Sequence, residues 1–353
     1  MNDTAADAPT YDYIIIGAGS AGCVMAARLS EDSKVSVLLL EAGGKDWNPW
    51  IHVPVGYIKT MVDPSVNWMF DTEPEPNLFD REIPVPRGRV LGGSSAINAM
   101  LYVRGQAADY DGWAQLGNKG WSYDEVLPYF KKAENLEGPA SEFHGVGGPL
   151  NVVGPDQRFP ITDALIEAGV EIGYPRNDDY NGAEQEGFCY TQSTQKGGRR
   201  CSAKRAYLSP AMKRPNLRVE THAQATGLLF DGRRASGVAY TVGGQARQAK
   251  AGREVILCAG SVQSPQLLEL SGVGRAEVLG EHGIEVRHQL DGVGENLQDH
   301  YIARLSWRIS KPVTLNEKAR GLSLVGEVLK YAFTRRGLLT VPAAVIAGFI
   351  RSR

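Results

Sequence analysis

The sequence predicts an α/β fold: a parallel sheet with an attached β-meander, and a second α+β domain that the chain enters in two visits. Three observations predict it. Residues 13–16 (YIII) form a short, β-branched apolar run that breaks into Gly17-Ala18-Gly19-Ser20-Ala21-Gly22 and then CVMAARLSE, the order strand, glycine turn, helix. Residues 254–259 (EVILCA) repeat that order before Gly260-Ser261 and the helical VQSPQLLELSGVG. Between them, short alternating runs separated by Asp231-Gly232 and Gly243-Gly244 read as hairpins.

Each part of the first unit has a physical reason. Gly17 permits a tight turn, Gly19 lets backbone approach a pyrophosphate, and Gly22 seats the helix against the strand. The open N–H groups at the start of that helix suit an anion. A second strand at 35–40 ends in Glu41, whose carboxylate suits the two hydroxyls of an adenosine ribose and disfavours a 2′-phosphate. The sheet is thus Rossmann-like, of the FAD/NAD(P)-binding kind. NADP fits least.

Composition sets the outer bounds. The 353 residues suffice for two domains; 42% hydrophobic and 22% charged residues describe an ordinary globular protein. A net charge of −2 gives no electrostatic case for nucleic acid or an anionic membrane. Cys23, Cys189, Cys201 and Cys258 lack paired metal spacing, so no metal is expected. They read as reduced, inert thiols of a cytoplasmic protein. The start MNDTAADAPT has neither basic nor apolar character, so no signal peptide is expected. The late apolar run at 338–350 holds 13 residues and Pro342, too short for a span of about 20.

After Ala42-Gly43-Gly44 comes a long stretch with little periodicity, anchored by Trp47, Trp50, Tyr57, Trp68 and Phe70 and interrupted by prolines up to Pro86. A loop of that length is expected to serve as a lid or cover. Residues 86–105 (PRGRVLGGSSAINAMLYVRG) follow; their glycines and serines offer bare N–H groups and hydroxyls for a second phosphate or ring contact. Amphipathic helices are expected between 106 and 137, the second opened by a Ser122/Glu125 capping box. Residues 138–215 are turn-rich, with one helix at 160–169 and a basic cluster at 196–205, either solvated or close to a phosphate. The meander is expected to begin at 217–221 (LRVET). Further strands are expected at 283–290 and 302–309, a ligand-side turn at 291–300 (DGVGENLQDH) and a helix at 322–333. The expected domains are a cofactor domain at 11–138, with the lid loop, and 216–300. A substrate domain is expected at 139–215 and, incomplete, at 301–353.

With these segments in hand, the chain closely resembles the glucose–methanol–choline (GMC) family of FAD-dependent oxidoreductases, which includes choline dehydrogenase-like and aryl-alcohol oxidase-like members. The resemblance rests on GAGSAG with Glu41-Ala42-Gly43, on GRVLGGSSAINAMLYVRGQAADYD (88–111) and on GSVQSPQLLELSGVG (260–274) with GVGENLQDH, in the expected order. It implies an FAD whose ADP half lies on Gly17, Gly19, Ser20, Ala21, Gly22, Glu41 and Ala42. Gly92, Gly93, Ser94, Asn98 and Met100 would lie toward the flavin end and the Ala225 backbone by the adenine, with Arg87, Val90 and Ala99 also expected to bind the cofactor. Ile97 stands where some members carry a histidine attached to FAD, which implies non-covalent binding.

The resemblance also implies oxidation of a small-molecule alcohol by hydride transfer to flavin N5, with oxygen or an electron carrier as acceptor. Members are considerably longer. Their catalytic His, partnered by His or Asn, lies in a C-terminal part without counterpart among these 353 residues. Of the six histidines only His300 lies in a family segment, and a hydrogen-bonded structural role suits it better than that of a base. Two rivals follow: a non-catalytic flavin-binding fragment, suggested by the end at residues 350–353 just after an apolar run, and a cyanohydrin lyase of the same family. An NAD-dependent dehydrogenase leaves the Gly-Gly-Ser-Ser signature without a task.

Overall fold

The computed structural model describes residues 8–300 and 302–351; most of the N-terminal stretch bearing on a signal peptide lies outside them. Along the chain come β1 (Thr10–Ile16), α1 (Ser20–Leu29), β2 (Val37–Glu41), β3 (Phe70–Asp71) and β4 (Pro84–Val85). Next are α2 (Ala107–Gln115), α3 (Tyr123–Ala133), α4 (Pro160–Glu171) and β5 (Gly187–Tyr190). Then follow β6 (Leu217–Thr221), β7 (Ala223–Asp231), β8 (Arg234–Val242), β9 (Gln245–Leu257), α5 (Gly260–Leu270), α6 (Gly321–Thr334) and β10 (Ile346–Phe349).

The chain forms two compact units. The first comprises the chain up to Trp47, Met61–Ile97 and Ala203–Ser306; the second comprises Asn48–Thr60, Asn98–Ser202 and the chain from Trp307.

The first unit is built on a six-stranded sheet in the order β6-β2-β1-β9-β8-β7. Pairings β6–β2, β2–β1 and β1–β9 are parallel, and β9–β8 and β8–β7 antiparallel. The expectation of a meander starting at 217 is corrected: Leu217–Thr221 pairs in parallel with β2 at the far edge, so the meander begins at Ala223. The separate strand at 254–259 is also corrected. One 13-residue strand, β9, pairs with β8 from Gln245 to Lys250 and with β1 from Lys250 to Leu257. Val37, Leu38, Leu39 and Leu40 are all buried, as the apolar run of a central parallel strand requires. Ile14, Ile16, Leu38, Leu40, Val238, Tyr240 and Leu267 share one core, each aliphatic side chain stabilising the unit by about 1.5–3 kcal/mol.

In the second unit, α2 and α3 pack through Tyr110 against Tyr123 and Phe130. The Ser122/Glu125 capping box forms: Glu125 Oε2 accepts the Ser122 N–H at 3.1 Å. The helix expected at 160–169 runs from Pro160 to Glu171, and that expected at 322–333 from Gly321 to Thr334. Part of the late apolar run forms β10, antiparallel to β5. Among the described residues of 302–309 there is no strand, and the strand expected at 283–290 shrinks to His288–Gln289, paired with Val273–Gly274. Alternation alone places no strand where no neighbouring edge supplies hydrogen bonds.

Candidate functional site

The glycine turn after β1 is the first wall of the site. Gly17 has φ +97° and donates its N–H to Leu40 O at 2.8 Å; a Cβ there would lie 2.5 Å from Cys258 O. A Cβ on Gly22 would stand 1.8 Å from Gly17 O, so only glycine lets α1 start this close to the strand. Adjacent parallel strands β1 and β9 both run into helices here. The starts of α1 and α5 thus open on one cavity of about 740 Å³, with Gly19, Ser20 and Ala21 from one and Gly260, Ser261, Gln263 and Ser264 from the other.

Glu41 closes the second wall. It is buried, with Oε2 accepting the Ala18 N–H at 2.8 Å and Oε1 the Gly43 N–H at 2.9 Å. Burial pushes its carboxyl up to about 7, against the pull of those two donors and of Arg89. Each carboxylate oxygen retains a second lone pair, and Glu41 lines the cavity.

The third wall is the Gly-Gly-Ser-Ser loop together with the base of the long insertion. Gly92 donates its N–H to Ala18 O at 2.8 Å, and a Cβ on Gly93 would stand 2.6 Å from Gly19 Cα. Ser94 Oγ accepts the Gly88 N–H at 3.1 Å. The insertion folds back as a hairpin through β3 and β4, bringing Trp68, Phe70, Arg87 and Gly88 to the cavity.

Of the residues expected from sequence, Gly17, Gly19, Ser20, Ala21, Glu41, Ala42, Arg87, Gly93, Ser94 and Ala225 line this one cavity. Gly22, Val90 and Gly92 do not line it; the first and last shape its walls, and Val90 is buried beside them in a bridge to Gly44. Asn98, Ala99 and Met100 belong to the second unit and are not among the lining residues. There Asn98 Oδ1 accepts from the Met100 N–H at 3.0 Å and from Arg200 Nη1 at 2.7 Å. His300 is exposed, its N–H held by Asp299 Oδ1 at 2.8 Å. In the basic cluster Arg200 is buried, also bonding Ile51 O at 2.9 Å, and Lys204 pairs with Asp46 at 2.9 Å. Both serve the packing of their own units.

Sequence reasoning missed Trp68, Phe70, Gln224, Gln263, Ser264 and Gln266, all of which line the cavity. The signal was present. Trp68 and Phe70 stood out as anchors in an aperiodic loop, and the others lie in or beside segments already singled out.

Two helix starts, a buried carboxylate and three bare backbone approaches are a set of donors and acceptors suited to an adenine dinucleotide, and the volume lies in the range of ligand pockets. Among the described residues no helix is long and apolar enough to cross a membrane.

Comparison with known proteins points the same way. The family profile described as GMC oxidoreductase matches residues 11–302. The oxygen-dependent choline dehydrogenase of Ectopseudomonas mendocina is 46% identical over 350 residues, covering 97% of this chain and 62% of the relative. The chain therefore spans less than two thirds of the length of the curated relatives it matches. A formate oxidase from Aspergillus oryzae RIB40, solved in a study of its FAD modification, superposes with a TM-score of 0.89 at 27% identity, over 98% of this chain and 62% of that one. An FAD-dependent oxidoreductase from Chaetomium thermophilum superposes with a TM-score of 0.84 at 31% identity, over 94% and 60%.

Proposed function

The chain belongs to the GMC oxidoreductase family, and on that premise we propose that it binds FAD non-covalently as the cofactor-bearing part of an oxidoreductase acting on CH–OH groups. One observation carries this: GAGSAG, Glu41 and the Gly93-Ser94 turn, distant in sequence, line a single cavity. The N–H groups at Gly19–Ala21 would hold the pyrophosphate, and Glu41 the adenosine ribose. The Ala225 backbone would meet the adenine, and Gly93 and Ser94 would lie toward the flavin end. Ile97, a side chain with no nucleophile, supports non-covalent attachment. We take the first compact unit as the FAD domain and the second as part of the substrate domain.

When bound, FAD supplies the hydride acceptor and the spectroscopic signal of its own redox state. The chain's share is to orient that group on rigid strand and helix ends and to keep water from its buried edge. No residue here is assigned as general base. His300 is exposed, and a base would come from the part of the relatives' length that this chain does not match. Choline is the substrate to try first and oxygen the acceptor, since the relatives are named for both. Anaerobic choline added to the yellow protein tests the oxidation: bleaching of the flavin band supports it. A bound flavin that stays oxidised with choline and other small alcohols contradicts catalysis by this chain alone.

A further inference from the structure

We propose that Trp68 and Phe70 form a retention wall for a planar ring of the dinucleotide, latched by Gln263; this rests on the FAD reading above. Neither ring lies in a family signature or in the core of its unit. Both line the cavity as a stacked pair, with ring centroids 5.7 Å apart and planes within 7°, so they give that wall an apolar, aromatic surface. Such a surface suits a base or an isoalloxazine rather than a phosphate or sugar, whose ends of the cavity are the glycine turn and Glu41.

The wall is held from three directions. The Trp68 N–H donates to Arg87 O at 2.9 Å, and the Arg89 N–H to Val66 O at 2.8 Å, fixing the hairpin's register. The Arg89 guanidinium sits 4.6 Å from the Trp68 ring centroid. On α5, the Gln263 amide, oriented to satisfy both neighbours, accepts the Trp68 Nε1–H at 2.8 Å and donates to Ala259 O at 3.2 Å. Met69, between the two aromatics, is held at φ +58°. A non-glycine residue keeps that conformation only where its surroundings dictate it. The hairpin's base is equally constrained, since a Cβ on Gly88 would lie 2.2 Å from Gly93 O. The latch therefore ties the insertion to the helix across the cavity, and its opening limits cofactor escape.

The test is the rate of FAD loss from the reconstituted full chain, read as recovery of free-flavin fluorescence after dilution, for wild type, Trp68→Phe, Trp68→Leu and Gln263→Leu. Trp68→Phe and Gln263→Leu each remove the latch and keep a ring; each is expected to release FAD about fivefold faster. Trp68→Leu removes the ring too and is expected to release it about thirtyfold faster. Competition with ADP identifies the ring: adenine if Trp68→Leu weakens ADP in parallel, isoalloxazine if ADP binding is unchanged. Wild-type release rates in Trp68→Phe and Gln263→Leu would overturn the proposal while leaving FAD binding intact. A wild-type chain that takes up no FAD would remove the functional reading and this proposal together.

Discussion

A Cβ placed on Gly93 would lie 2.6 Å from the Cα of Gly19, and one on Gly88 would lie 2.2 Å from the carbonyl oxygen of Gly93. Three bare backbones from two separate segments are thus stacked beside the glycine turn after β1. The contact explains why two glycine signatures more than seventy residues apart act as one site.

Gly93→Ala tests that stack. At φ +52° the new methyl meets both backbone strain and the Gly19 backbone, so a loss of about 2–4 kcal/mol is expected. Thermal unfolding should fall by several degrees, and FAD uptake should weaken with it. An unchanged melting temperature would show that the two loops are free to separate.

Much of this site was legible because its demands are local. Gly17, Gly19 and Gly22 each answer to one turn and one helix, and Ser122 with Glu125 caps its helix within four residues. What was not legible depended on neighbours. Gly252-Arg253 within β9 suggests a break, yet the strand continues because one half pairs with β8 and the other with β1. Leu217–Thr221 alternates like a meander strand, but only the sheet shows that its partner is β2. Trp68 looked like a packing anchor, since nothing local says which wall a ring will face.

Glu41 gives a pH signature in the cofactor-free chain. Its carboxyl is raised to about 7 from an ordinary 4.5, so the folded state binds the proton more tightly than the unfolded one. That contribution is full below about pH 4.5 and is lost as pH rises through 7. Glu41→Gln should flatten the slope in this window and cost about 1–3 kcal/mol, because an amide cannot accept from both Ala18 and Gly43. Urea midpoints at pH 5 and pH 8 would reveal it; an unaltered slope would assign the pH dependence elsewhere.

A second window belongs to His144. Its Nε2 lies 2.9 Å from Asp179 and its Nδ1 3.0 Å from Glu134, which also holds Arg104 at 2.9 Å. The Asp179 and Glu134 hydrogen bonds hold the imidazolium up to about 9 from an ordinary 6.5. The stabilisation is full below about pH 6.5 and is lost as pH rises through 9. His144→Gln is expected to remove that fall. Denaturation midpoints from pH 6 to 10 decide the point, and an identical fall in the variant would contradict it.

Arg200 should prove structural. Its guanidinium is buried and donates to Ile51 O and Asn98 Oδ1. Arg200→Met strands the Ile51 carbonyl and weakens the Asn98 turn, for an expected loss of about 2–4 kcal/mol. Lysine should not restore it, lacking the planar fork that reaches both acceptors. A melting temperature in Arg200→Lys equal to wild type would contradict this assignment.

The proposed grip on FAD rests on the cavity joining Gly19, Glu41 and Gly93. Its most direct measurement is the visible spectrum of the purified chain after incubation with FAD and gel filtration. The expected result is about one flavin per chain co-eluting with the protein, the amount falling in Gly93→Ala. Flavin recovered wholly in the small-molecule fraction, from a chain whose circular dichroism shows it folded, would contradict the claim.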